Sequence, residues 1–324
     1  MATDVYTGLA LPIVVLALLW PLASILFAVA YPAIMPRLPS SPRQRSVALQ
    51  FLCMAPALMS LALTASVFSS AMERRLVALH CHPGSECPIH VPAVASGLSA
   101  WVCMGLASLL AALTLFYLVR EATRMRQLGR GLNALADSSL ANVRMIPSAE
   151  LLAFSAGLLR PTVFVSQGLA QQTSSEELEA IVQHERAHGR RRDNLRDWLA
   201  SLCTWGWPSE IRRDLLREVR LAAEQCCDAA AARAVSDPLL VAHTLVKVQK
   251  LARRPADIAC GFTGSSIEAR VSALLQLEAS RGSSGPLVSL LAIPAGVAGV
   301  VVLATDPLHH LVEMVLDWLQ RLAL

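Results

Sequence analysis

Long uncharged runs alternate with arginine-rich stretches along this chain. Residues 5–36, 46–72, 91–119 and 282–305 contain no Asp, Glu, Lys or Arg. Each run exceeds the roughly 20 residues that a helix rising 1.5 Å per residue needs to cross the hydrocarbon core, so four transmembrane helices are predicted. Between the third and fourth runs the pattern changes. Short apolar runs over 143–165, broken by Pro147, Gly157 and Pro161, predict strands, notably around 163–165. Thr173-Ser174-Ser175-Glu176-Glu177 then places a glutamate three residues after Thr173 and again after Ser174, which marks a helix start. The helix should run past residue 188, with Leu178, Ile181, Val182 and Glu185 at helical spacing. From Ile181 the same stripe reaches His184 and His188, and a second helical segment covers 215–234. The apolar run 198–207 is too short to span and predicts an interfacial or buried segment.

Composition agrees with the pattern. With 54% hydrophobic and 16% charged residues and a mean hydropathy of +0.49, the chain belongs in a bilayer rather than in solution. Nothing basic precedes the first run, which is far longer than a signal's apolar region, so it is expected to stay in the mature protein. Arg37, Arg43 and Arg45 follow the first run, and Arg120, Arg124, Arg126 and Arg130 follow the third; both places are predicted to be cytoplasmic. The N-terminus and the loop 73–90 then face outside. That loop holds Cys81 and Cys87, for which a disulfide, two free thiols and a Cys/His metal cluster all remain open. The net charge of +4 is concentrated in the arginines of residues 120–281 and suits anionic headgroups, so membrane lipid is an expected partner. No recognition motif accompanies these arginines, and direct nucleic-acid binding is not expected.

The candidate chemistry lies at His184-Glu185-Arg186-Ala187-His188, an HExxH pattern. Side chains at i and i+4 stand on one helix face about 5–6 Å apart, close enough for two imidazoles to share a zinc ion. Glu185, one residue round, can approach a water at the metal and act as general base. Chance occurrence of so short a pattern is the competing explanation. On the second helix Glu224 and Asp228 are four apart and share a face, so that one could bind metal and the other buttress it. Cys227 is an alternative third ligand, and a solvated acidic face is the bland alternative for the pair.

Three stretches together carry a family resemblance: Gly157-Leu158-Leu159-Arg160-Pro161-Thr162-Val163-Phe164-Val165; Ser175-Glu176-Glu177-Leu178-Glu179-Ala180-Ile181-Val182-Gln183-His184-Glu185 with His188 and Asp193; and Glu224 with Cys227-Asp228. In this order they resemble the BlaR/MecR-type membrane zinc metallopeptidases and, more distantly, the CAAX prenyl proteases. The resemblance implies an α-helical integral membrane protein with four transmembrane helices and an α+β, zincin-like cytoplasmic metallopeptidase domain. It implies one Zn2+ per chain bound by His184, His188 and Glu224, with Glu185 as the catalytic base and acid. It gives Asp193 and Asp228 supporting roles, leaving open which histidine each holds, and makes Arg270 a weak match to a family arginine, an ordinary surface charge being the alternative.

The expected organisation is therefore three transmembrane helices in 1–119, a cytoplasmic metallopeptidase domain in 120–281, a fourth transmembrane helix in 282–305 and an extracytoplasmic tail in 306–324. The tail patterns as an amphipathic helix lying on the outer membrane surface, with packing against a partner's span as the alternative. It contains no Ser-x-x-Lys motif, so direct β-lactam sensing through a penicillin-binding sensor domain is not expected. A multi-pass protein of a bacterial-type inner (plasma) membrane is expected. Its function would be regulated proteolysis in signal transduction, cutting a cytoplasmic or membrane-proximal protein such as a transcriptional repressor when its outer loop, its tail or a membrane sensor partner reports a signal. The competing reading is a non-enzymatic transducer with a structural or decayed metal site.

Overall fold

The computed structural model describes residues 2–78, 92, 98–135, 138–140, 143–252, 264–279 and 288–322. Cys81 and Cys87 lie outside the described residues.

Helices α1 (Ala2–Ile34), α2 (Pro42–Val67), α4 (Leu98–Leu135) and α11 (Val288–Leu322) contain the four described stretches long and apolar enough to cross a membrane. Helix α3 (Ser70–Leu76) is a short turn of chain after α2. Pro12, Pro21 and Pro32 lie inside α1, and Pro294 and Pro307 inside α11. Proline survives within such helices because lipid offers the backbone no alternative partner and neighbouring helices hold the chain in place. Helix α2 packs against both α1 and α11, and Ser60, Thr64 and Ser66 along it return their hydroxyls to carbonyls of their own helix. Leu106, Leu109, Leu113 and Phe116 on α4 stay exposed, as lipid-facing side chains do.

The fourth helix departs from expectation. Instead of breaking at 305/306 into a separate surface helix, α11 continues through Pro307 to Leu322. Ser66 and Thr305 share a hydrogen bond of 2.9 Å, and Leu316 is buried with Leu11 and Val15 of α1. Leu316 is thus seated on the chain's own first span, while Leu311, Val315 and Leu319 stay exposed.

The polar block folds as a small sheet with helices. Strands β1 (Ser138–Leu140), β2 (Val143–Ile146), β3 (Ala153–Ala156) and β4 (Thr162–Ser166) lie in the order β1-β2-β4-β3. β2 runs parallel to β4; β1 is antiparallel to β2 and β3 is antiparallel to β4. β4 is the buried strand, with Val163 and Val165 packed on Leu169 of α5 (Gln167–Gln172) and Val182 of α6 (Ser175–Arg191). Gly157 turns the chain between β3 and β4 at φ +114°, where a Cβ would strike the Arg160 carbonyl.

Helix α6 starts where a capping box forms: Ser174 Oγ accepts from the Glu177 N–H at 3.2 Å, and the Glu177 carboxylate accepts from the Ser174 N–H at 2.9 Å. Glu177 also pairs with Lys247 on α9 (Pro238–Ala252). Of the two capping registers open in the sequence, Ser174 rather than Thr173 caps the helix. Helix α7 (Asp193–Cys203), α8 (Ser209–Val235) and α10 (Gly264–Ala279) complete the block.

This block is fused to the first two spans. Ala28 and Tyr31 of α1 and Leu49, Leu52 and Cys53 of α2 form one core with Ala200, Trp207, Leu215, Leu216, Val219 and Ala222. Around it Tyr31 donates to Asp214 at 2.7 Å, Arg45 pairs with Glu218 at 2.9 Å and Trp20 Nε1 donates to the Cys203 carbonyl at 3.3 Å. The apolar segment 198–207 is accordingly the end of α7 and a turn seated on α1, with Trp207 against the edge of Tyr31.

Candidate metal centre

Two helices supply the donors. Glu224 and Asp228 face α6 from α8, one turn apart, while His184 and His188 stand one turn apart on α6. The two imidazole Nε2 atoms are 3.1 Å apart. Glu224 closes the third side, with one carboxylate oxygen 3.4 Å from His184 Nε2 and the other 3.5 Å from His188 Nε2.

Each histidine has its own carboxylate behind it. His184 Nδ1 lies 2.9 Å from Asp228 and His188 Nδ1 2.9 Å from Asp193, which divides between the rings the two acidic residues left unassigned by the sequence. A residue five positions on would lie well round a straight helix from His188. The left-handed conformation of Arg192 (φ 54°, ψ 46°) ends α6 and starts α7, and that sharp turn folds Asp193 back to the ring. With each Nδ1–H held by a carboxylate, both Nε2 lone pairs point at the same place.

Charged partners complete the arrangement. Arg270 of α10 donates from Nε and Nη2 to the two Asp228 oxygens at 2.7 Å each, and its Nη1 lies 3.0 Å from Glu224. With its side chain only 15% exposed, it is the bidentate partner of a buried carboxylate and not a surface charge. Arg191 binds Asp193 from Nε at 3.1 Å and reaches Ser46 of α2 with Nη2 at 2.9 Å. The run Arg190-Arg191-Arg192 is therefore split: Arg190 and Arg192 are exposed, and Arg191 is held inside. Nothing in the sequence pattern distinguished Arg191, because its partners come from a following turn and a distant helix.

Four carboxylates (Glu185, Asp193, Glu224, Asp228) thus face two guanidiniums (Arg191, Arg270), an excess of two negative charges that seeks cations. Without metal the imidazoles take that role. Burial opposes charge on His188, yet Asp193, Cys227 and Glu224 push its pKa up to about 12, and Asp228 and Glu224 likewise raise His184 against burial. Burial also opposes charge on Glu224, but the two imidazoles and Arg270 hold its carboxyl well below the usual range. Glu185 behaves differently: burial raises its pKa and outweighs the nearby histidines, while the Ser155 backbone of β3 bonds to it.

Two overlapping triads could hold a metal: His184, His188 and Glu224, or His188, Asp193 and Cys227. The second fits poorly. Its Cys227 is 0% exposed, burial lifts the thiol to about 11, and the sulfur is engaged with Asp193 at 3.4 Å. The first fits a catalytic zinc site, which uses three protein ligands and an open position. Glu224 is 34% exposed and, with His188, borders a cleft of about 170 Å³ between α2, α7 and α8.

A family model described as BlaR1 peptidase M56 matches residues 20–274, a span that includes every residue of the cluster. Neither the curated proteins nor the solved structures gave a match.

Proposed function

The chain belongs to the BlaR1 peptidase M56 family and is a membrane metallopeptidase by descent, and from that premise we propose that it is a zinc endopeptidase cutting a cytoplasmic or membrane-proximal protein in signal-regulated proteolysis. The observation that carries this reading is the meeting of the two Nε2 atoms and both Glu224 oxygens at one point beside Glu185. His184, His188 and Glu224 would hold the ion. Zinc bound there supplies a Lewis acid for the scissile carbonyl and for the attacking water.

The chain's own groups do the rest. Glu185 takes the proton of the attacking water and returns it to the leaving nitrogen, a double duty that suits a carboxyl whose pKa burial raises. Asp193 and Asp228 fix the ring tautomers, and Arg270 holds the Asp228 carboxylate in place behind His184. The α+β body would be zincin-like and lie in the cytoplasm of a bacterial-type plasma membrane. In support, it packs on the ends of α1 and α2 next to Arg37, Arg43 and Arg45, the flank that the positive-inside rule retains there.

New protein N-termini in cells carrying wild type or Glu185→Gln, at matched expression and across envelope stresses, test the proposal. Termini present only with wild type, together with retained zinc in the variant, are the expected result. Identical termini under every stress would sink hydrolysis and favour a transducer.

A further inference from the structure

On the other side of Arg191 from the metal cluster lies a larger cavity, of about 710 Å³, lined by Ser41, Arg43, Arg190, Arg191, Arg196 and Arg233 along with small residues of α6 and α8. Five arginines thus border one space, and no acidic residue lines it. Among the described residues only Arg191 of the five has an ion-pair partner, Asp193. Arginine stays charged in any protein setting, so the group cannot relieve its mutual repulsion by losing protons. Concave walls with a single sign of charge concentrate the field and draw in counter-ions.

The floor supports the same conclusion. Ala187, Ala229 and Ala230 leave room that larger side chains would fill. Ser41 occupies the N-cap position of α2, whose first turn, starting at Pro42, borders the cavity with the positive end of its dipole. The place also matters: α2 is a candidate span beginning at Pro42, so the cavity opens at one face of the membrane. Forked guanidiniums match the oxygens of a phosphate group better than those of a monatomic ion.

From this we infer that the cavity between the start of α2 and the ends of α6 and α8 is a binding site for a phosphate-bearing anion. The phosphate is that of an anionic phospholipid headgroup or of a soluble phosphate compound; both present the same oxygens to the arginines. The site is separate from the metal cluster but shares Arg191 with it.

The test uses the full-length chain in a neutral detergent, with thermal unfolding followed during titration by phosphatidylglycerol, phosphatidylcholine or inorganic phosphate. Wild type is compared with the triple variant Arg43→Gln, Arg190→Gln, Arg233→Gln. A second triple, Arg124→Gln, Arg213→Gln, Arg217→Gln, removes equal charge from exposed sites elsewhere. Phosphatidylglycerol should raise the midpoint of wild type and phosphatidylcholine should not. The cavity variant should need at least about tenfold more ligand, since each basic side chain near an anionic headgroup is worth roughly fivefold in affinity; the second triple should match wild type. If inorganic phosphate alone reproduces the shift the occupant is soluble, and if only the lipid does so it is a headgroup. Equal losses in both triples, unchanged affinity in the cavity variant, or no shift with either phosphate source would overturn the inference. Arg43→Gln alone, at an exposed position, repeats the comparison if the triple variant unfolds at a lower midpoint without ligand.

Discussion

Replacing Arg270 by alanine should separate the stability of the site from its affinity for metal. The substitution removes two 2.7 Å hydrogen bonds from Asp228, which is 2% exposed and has no bulk water to turn to. Breaking a buried pair costs about 3–5 kcal/mol because the remaining charge is left without its partner. Asp228 keeps His184 at 2.9 Å, which places the expected loss near the lower end, about 3 kcal/mol. At 2–4 °C per kcal/mol that is a fall of roughly 6–12 °C in the unfolding midpoint of the chelator-treated protein. Zinc should recover part of it, because loss of the guanidinium 3.0 Å from Glu224 leaves a more negative donor set for the ion. Arg270→Lys, which keeps the charge and loses the fork, should fall between the two. Thermal unfolding of wild type and both variants, with zinc and with chelator, measures all of this. An alanine variant as stable as wild type in chelator, or one that gains less from zinc than wild type does, would refute the role given to this ion pair.

Two further outcomes follow from the same geometry. Asp193→Asn should weaken zinc binding about 10–100-fold, the usual effect of losing the group that orients a ligand histidine; a competitive chelator titration reads it, and a change under about twofold would contradict the Asp193–His188 contact. In metal-free protein the neighbouring Asp193, Cys227 and Glu224 push the folded-state pKa of His188 up from 6.5 to about 12, so its stabilisation is complete below pH 6.5 and is lost as pH rises through the alkaline range. The unfolding midpoint of chelated protein should therefore decline across that window while zinc-loaded protein stays level, and parallel curves would show that the imidazole proton and the ion do not compete.

Local features of this fold were legible in the sequence, and long-range ones were not. The start of α6 could be read because Ser174 and Glu177 satisfy each other's backbone within one turn. That His184 could meet His188, and Glu224 share a face with Asp228, followed from helical spacing alone. How the two helices register against each other did not, because that is set by packing between segments some forty residues apart. The turn at Arg192 was hidden for another reason: a left-handed non-glycine residue has no reliable sequence mark, and only that turn explains why Asp193 touches His188. Arg270 could not be told from a surface charge, since its partners lie on α8. Uncharged length placed a break at 305/306, whereas α11 continues past Asp306 as one helix in contact with α1 and α2.

Helix α8 has two allegiances. Leu215, Leu216, Val219 and Ala222 belong to the core shared with the first two spans, and Glu224 follows within the next turn, about 13 Å along the axis from Leu215. No slack segment lies between them. The bilayer is in this sense part of the scaffold of the site: a change in its thickness, or a neighbour pressing on α1 and α2, tilts a stiff rod that carries Glu224 and Asp228 farther along its length. Cutting the peptidase body away would leave those four side chains facing water and remove the foundation on which the spacing between α6 and α8 rests.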